Sequence, residues 1–145
     1  MSVTTAMTTS FKQELLQGLH DLDGHTLKLA LIKSGESGTY GAASTNYSDI
    51  TGNSDEASGT GYSSGGATLG SVAITTSGTT AFVDFADVSF SNSTISASGA
   101  MIYNSSASNR AIAVISFGGT VASTAGTFTV TMPTADSSNA IIRLA

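Results

Sequence analysis

Residues 26–33 read TLKLALIK, with Leu27, Leu29 and Leu31 alternating against Lys28, Ala30 and Ile32. A repeat of two is that of a strand, whose successive side chains leave opposite faces, so this stretch predicts a strand with one well-buried face. Just upstream the repeat changes. Phe11, Leu15 and Leu19 recur four apart, Ser10 and Gln13 stand at capping-box spacing, and Gly24 follows as a stop signal. Residues 11–22 therefore predict one short amphipathic helix, its apolar stripe laid on the domain's own core.

Downstream, short apolar runs recur at 67–76 (Leu69, Val72, Ile74), 80–90, 100–104, 111–117, 128–132 and 140–144. In 80–90, Phe82, Asp84, Ala86, Val88 and Phe90 oppose Val83, Phe85 and Asp87. Clusters of glycine, serine and asparagine at 77–78, 105–109 and 118–119 separate most of these runs, and Pro133, the only proline, stands where a strand should end. Seven or eight short strands predict a mainly β chain, a β-sandwich of Ig-like or jelly-roll-like type with the helix at one edge. No fixed period suggests a solenoid or propeller.

At 145 residues the chain is expected to form one domain, residues 10–145, able to fold without staples. The absence of cysteine removes disulfides and thiolate metal sites from consideration. A net charge of −5 argues against a nucleic-acid partner, since Lys12, Lys28, Lys33, Arg110 and Arg143 are scattered. Residues 1–9 carry no periodicity and are expected to form a flexible arm; they show neither a basic n-region nor an apolar h-region, and no apolar run is long enough to span a bilayer, so no membrane partner is expected.

Between the first two predicted strands lies a segment, 34–66, rich in glycine, serine and threonine, ending in SDEASGTGYSSGG at 54–66. A connection of this length, far above the usual four to six residues, reads as either disordered or a surface binding loop. Its tyrosines, Tyr40, Tyr47 and Tyr62, are expected to supply protein-interface contacts, with Asp49, Asp55 and Glu56 at a polar rim. The competing reading makes the tyrosines pins that hold the loop to the chain's own surface. A calcium site from Asp49, Asn53, Asp55 and Glu56 is a further alternative.

Patterns that suggest catalysis or metal binding are poorly supported. Ser63 falls in a G-x-S-x-G match, but one flanked by loop on both sides, whereas a nucleophile needs a strand before it and a helix after it. Asp21 and Asp23 precede Gly24 as in a calcium loop, yet position 30 is Ala30 where the closing glutamate belongs; His20 and His25 add possible ligands, but turns explain all four. Asp84 and Asp87 fall on opposite faces of one predicted strand, unsuited to act as a carboxylate pair.

Several segments together resemble small virion proteins of tailed bacteriophages: FKQELLQGLHDLDGHTLKLAL (11–31), EASGTGYSSGG (56–66), VDFADVSFSNSTISASGAMIYN (83–104), GTFTVTMP (126–133) and IIRLA (141–145). The resemblance spans nearly everything past Ser10; the S-G-T-G-Y-x-x-G-G loop and the strands ending in A-M-I-Y-N are its most specific parts. Phe90 and Met132 stand where many relatives are expected to carry tryptophan. It implies a non-enzymatic structural role with no cofactor, most simply a capsid decoration (cement) protein on the outer surface of the head, assembled in the host cytoplasm. The partners implied are the major capsid protein and copies of this chain, as a trimer rather than a dimer. A tail, neck or fibre component is the alternative within that class, and a carbohydrate-binding adhesion module, disfavoured by the lack of tryptophan, is the alternative outside it.

Overall fold

The structure, a computed structural model, describes residues 2–145. Along the chain lie β1 (Ser2–Val3), β2 (Ala6–Met7), α1 (Thr9–Leu16), β3 (Leu27–Lys33), β4 (Thr39–Tyr40), α2 (Ser48–Gly52), β5 (Ala67–Thr68), β6 (Ala73–Ser77), β7 (Thr80–Asp84), β8 (Val88–Asn104), β9 (Arg110–Val130) and β10 (Ile142–Leu144). A five-stranded sheet in the order β2-β9-β8-β3-β5 faces a three-stranded one, β10-β7-β6, and β1 pairs with β4. The chain is mainly β, as expected, with its sheets packed as a sandwich. Leu27, Leu29 and Ile102 from the large sheet share one apolar cluster with Val83 and Ile142 from the small sheet.

The large sheet is covered on both faces. Leu27, Leu29 and Leu31 join the inter-sheet core, while Ala30 and Ile32 turn the other way into a second cluster with Tyr40, Ile50, Met101 and Tyr103. The predicted strand at 26–33 is there, but the expectation of one buried face is corrected: the segment between β3 and β5 roofs the other side. A strand buried on both faces needs a near-continuous apolar run, which is why Ala30 and Ile32 interleave the leucines.

Three strand expectations are redrawn. Residues 80–90 break at 85–87, because β7 and β8 belong to different sheets and the chain must cross between them; Ala86 N–H donates to the Gly70 carbonyl instead of to a ladder partner. Residues 67–76 divide at Gly70 and Ser71, the latter at φ 51. In the opposite sense, β8 and β9 run through 91–99 and 118–127, which read as turn-like in sequence. There the serines and threonines other than the buried Ser93 form the more exposed face of a ribbon whose other face buries Phe90, Ile95, Phe128 and Val130. Register shifts near Phe90, Ile95 and Gly99 absorb the remaining polar residues.

The helix is shorter than residues 11–22 and is capped by Thr8, not Ser10. Thr8 Oγ1 accepts from Phe11 N–H at 3.1 Å and donates to the Ala111 carbonyl at 3.2 Å, tying the cap to β9. Termination falls at Gln17, and Gly18 takes φ 75, the left-handed stop anticipated at Gly24. Of the stripe, Phe11 is buried, Leu15 half-buried, and Leu19 lies beyond the helix and exposed.

The expected flexible arm is corrected as well. Within it, β1 pairs with β4, and β2 pairs with β9 through Ala6 opposite Val114 and Met7 opposite Ala113. Low sequence complexity does not prevent order here because the ladder supplies partners for the backbone, whatever the side chains.

Candidate functional site

The segment 34–66 is held down by two adjacent carboxylates. Lys33 N–H donates to the Asp55 carbonyl and Ala57 N–H to the Leu31 carbonyl, both at 2.8–2.9 Å, so residues 55–57 run extended along the end of β3. Neighbours on an extended chain point opposite ways, and Asp55 and Glu56 therefore reach separate parts of the loop.

Asp55 is fully buried and gathers the 37–40 turn. Its carboxylate accepts from Ser37 N–H at 3.0 Å, Gly38 N–H at 2.8 Å and Tyr40 OH at 2.6 Å, with Lys33 Nζ 3.4 Å away. Burial pushes this carboxyl up, but the hydrogen bonds from Tyr40, Ser37 and Gly38 outweigh it and hold the group well below the usual carboxylate range. Tyr40, in turn, is pushed up to about 12 by burial and by its hydrogen bond to Asp55.

Glu56 gathers the other half. It accepts from Tyr47 OH at 2.6 Å, Tyr62 OH at 2.7 Å, Gly65 N–H at 2.7 Å and Ser64 Oγ at 3.1 Å. Tyr62 also accepts from Leu31 N–H at 3.0 Å, and burial followed by the Glu56 hydrogen bond raises its phenol. The Tyr47 ring stacks on Tyr103 with centroids 4.6 Å apart, and Tyr103 OH donates to the Gly65 carbonyl at 2.7 Å. Tyr103 is pushed up to about 12, chiefly by burial, with the neighbouring Tyr47 and Glu56 acting the same way. Phenols held protonated donate, and the carboxylate oxygens they meet accept, so these bonds run in one direction and give the loop a single shape.

The expected interface residues are thus brought together, but as pins. Tyr40 and Asp55 are buried and present no surface to a partner, so their placement at a contact and its rim is corrected. Tyr47, Tyr62 and Glu56 are half-buried and spent on one another. Asp49 is half-exposed and accepts from Thr45 N–H at 2.8 Å, inside its own turn before α2. The calcium reading meets the same difficulty at Asp55 and Glu56, whose carboxylate oxygens already face N–H and O–H donors.

Of the other groups singled out, His20, His25, Asp21 and Asp87 find internal partners. His20 is buried, its Nε2 3.0 Å from Glu14 and its Nδ1 3.0 Å from Asn104, which bonds His25 as well. Asp21 accepts from Gly24 N–H. Ser63 sits in a turn closed by Gly66 N–H and followed by β5, without the helix a nucleophile elbow needs. Asp84 ends β7, while Asp87, beyond the crossing, accepts from Met132 N–H.

No family model, no curated protein and no solved structure matches this chain. Sequence reasoning named Asp55 and Glu56, but at a polar rim and not as the hubs of the loop, and it passed over the stacked Tyr103. The one signal for them was a pair of adjacent acids set before Ala57 in a run otherwise free of charge from Gly52 to Gly66.

Proposed function

We propose that the chain is a non-enzymatic structural protein of a tailed-phage particle, most simply a decoration protein on the outer surface of the head that contacts the major capsid protein. The observation that carries this reading is the β8–β9 ribbon. Between Arg110 and Asp136 there is no charged residue, and over 120–127 the side chains are largely exposed serine, threonine and alanine. A broad, uncharged hydroxyl face lets a chain of net charge −5 lie against a protein surface without stripping water from buried ions, whose desolvation would oppose docking. The clasped loop and the paired N-terminus support the same reading: a rigid body loses little conformational entropy when it attaches. The resemblance of residues 11–31, 56–66 and 83–104 to small virion proteins points the same way.

Counting copies per purified particle by quantitative mass spectrometry, with a cryo-EM map of the same particle, tests the proposal. Hundreds of copies on the head support decoration. A handful at one vertex would move the protein to the neck or tail, and absence from the particle would overturn the reading.

A further inference from the structure

We infer that His20, His25 and Asn104 form an acid-sensitive latch, which holds the connection between α1 and β3 shut while both imidazoles are neutral and releases it when either gains a proton. This inference does not depend on the virion reading.

The connection, residues 17–26, has no helix or strand of its own and is tied to the end of β8. Asn104 is fully buried there. Its Oδ1 accepts from Ser106 N–H at 3.0 Å, which fixes the side of the amide that carries the oxygen and leaves the nitrogen facing both histidines. That nitrogen lies 3.0 Å from His20 Nδ1 and 2.9 Å from His25 Nδ1. It has two N–H groups, one for each ring, so both Nδ1 atoms accept and neither carries a proton. Two further bonds agree. Asp21 N–H donates to the same His25 Nδ1 at 3.2 Å, and His20 Nε2, left with the ring's proton, donates to Glu14 Oε1 at 3.0 Å.

A second proton on His20 has only Nδ1 to go to, where it meets an N–H; on His25 the corresponding atom faces two donors. Turning the Asn104 amide over would offer its oxygen to the rings but set its nitrogen against Ser106 N–H, so one clash replaces another. The charged groups around the rings do not supply the missing acceptor. Glu14 on α1 already takes the Nε2 proton and shares its charge with Arg110 on β9, whose Nε is 3.3 Å away, while Asp21 turns its carboxylate to Gly24 N–H. Nor does water, because the His20 side chain has no accessible surface.

What the latch covers gives it a consequence. Leu22 belongs to the inter-sheet core and, with Leu15, Val83 and Ile142, lines an apolar groove; Phe11 meets the His20 ring edge-on with centroids 5.1 Å apart. Release of residues 17–26 uncovers this apolar surface without unpairing a strand. His20 and His25 are the chain's two histidines, and histidine is the side chain that ordinarily titrates between about pH 5 and 8. The open connection takes protons on both rings and the closed latch on neither, so closure is favoured as pH rises through that range and is lost as it falls.

Hydrogen exchange followed by NMR and corrected for intrinsic rates reads the latch at the amides of Leu19 and His25, which donate to the Glu14 and Asp21 carbonyls. Between about pH 7.5 and 5.5 the protection of both should fall at least about tenfold in wild type, with Ile102 in β8 unaffected. In the double variant His20→Gln, His25→Gln, whose amide oxygens can accept from Asn104 but do not titrate, the pH response should vanish. Asn104→Asp gives each Nδ1–H an acceptor and should reverse the response, so that protection grows on acidification. Nitrogen-15 spectra of the wild-type imidazoles at neutral pH, which need no variant to fold, should place both ring protons on Nε2. A ring proton on Nδ1, wild-type protection that is flat across the range, a response that survives in the double variant, or an Asn104→Asp chain that loosens on acidification as wild type does would overturn the inference.

Discussion

Replacing Asp55 with alanine removes the acceptor of Ser37 N–H, Gly38 N–H and Tyr40 OH at once. Hydrogen bonds to a charged acceptor contribute about 1.5–3 kcal/mol each, so three would nominally give roughly 5–9 kcal/mol. The carboxylate has no accessible surface, but its donors sit on a loop that can shift once the side chain is gone and let water reach them. The expected cost is therefore about 3 kcal/mol, or a fall in Tm of roughly 6–12 °C for a domain of this size. Its pH dependence has a definite sign. Asp55 is held below the ordinary range in the fold and titrates near about 3.9 when unfolded, so its contribution is complete above about pH 4 and is lost as pH falls toward the folded value. Denaturant melts of wild type and Asp55→Ala should be furthest apart at neutral pH and converge on acidification. A difference below about 1 kcal/mol at pH 7, or a gap that stays constant down to about pH 2.5, would refute the clasp as described.

Deleting residues 2–7 should lower Tm in a thermal melt, since it strips β1 from β4 and β2 from β9; an unchanged melt would return the segment to the status of a free arm. Phe11→Ala should cost about 3–5 kcal/mol by chemical denaturation, and Leu15→Ala clearly less, because the first is fully buried and the second lines an open groove. Gly66→Ala should be among the most damaging single changes, as Gly66 holds φ 79 and an added Cβ would collide with the Leu29 carbonyl oxygen; soluble expression and a near-native melt would contradict that. Limited proteolysis should spare residues 34–66 in wild type and cut there in Glu56→Ala, which frees Tyr47, Tyr62 and Gly65 together.

Period-two patterning in residues 26–33 was enough to read a strand and, with its successors, a β-sandwich. It could not reveal that Ala30 and Ile32 are roofed, because the roof is a segment whose composition is that of an exposed loop. The tyrosines show the limit most clearly. An aromatic ring with a hydroxyl suits an interface and an internal pin equally well, and what decides between them is the position of Asp55 and Glu56 against β3, a tertiary fact. Thr8 was passed over as a cap because its second partner, the Ala111 carbonyl, lies 103 residues away. The serine-rich halves of β8 and β9 read as connections for a related reason: one face packs on the core and the other meets water, so half the pattern is polar and bulges scramble the rest.

The bond from Thr8 to Ala111 also sets an order of events during synthesis. Ala6, Met7 and Thr8 are made roughly a hundred residues before their partners at 111–114, a delay of about 5–20 s at ordinary elongation rates. Through that interval Phe11 has no β9 to shelter against, and the hairpin that carries most of the large sheet is still incomplete. Closure of the fold is then a long-range step that waits for residues 111–114, and residues 6–8, made well before them, are among the last parts of the fold to find their place.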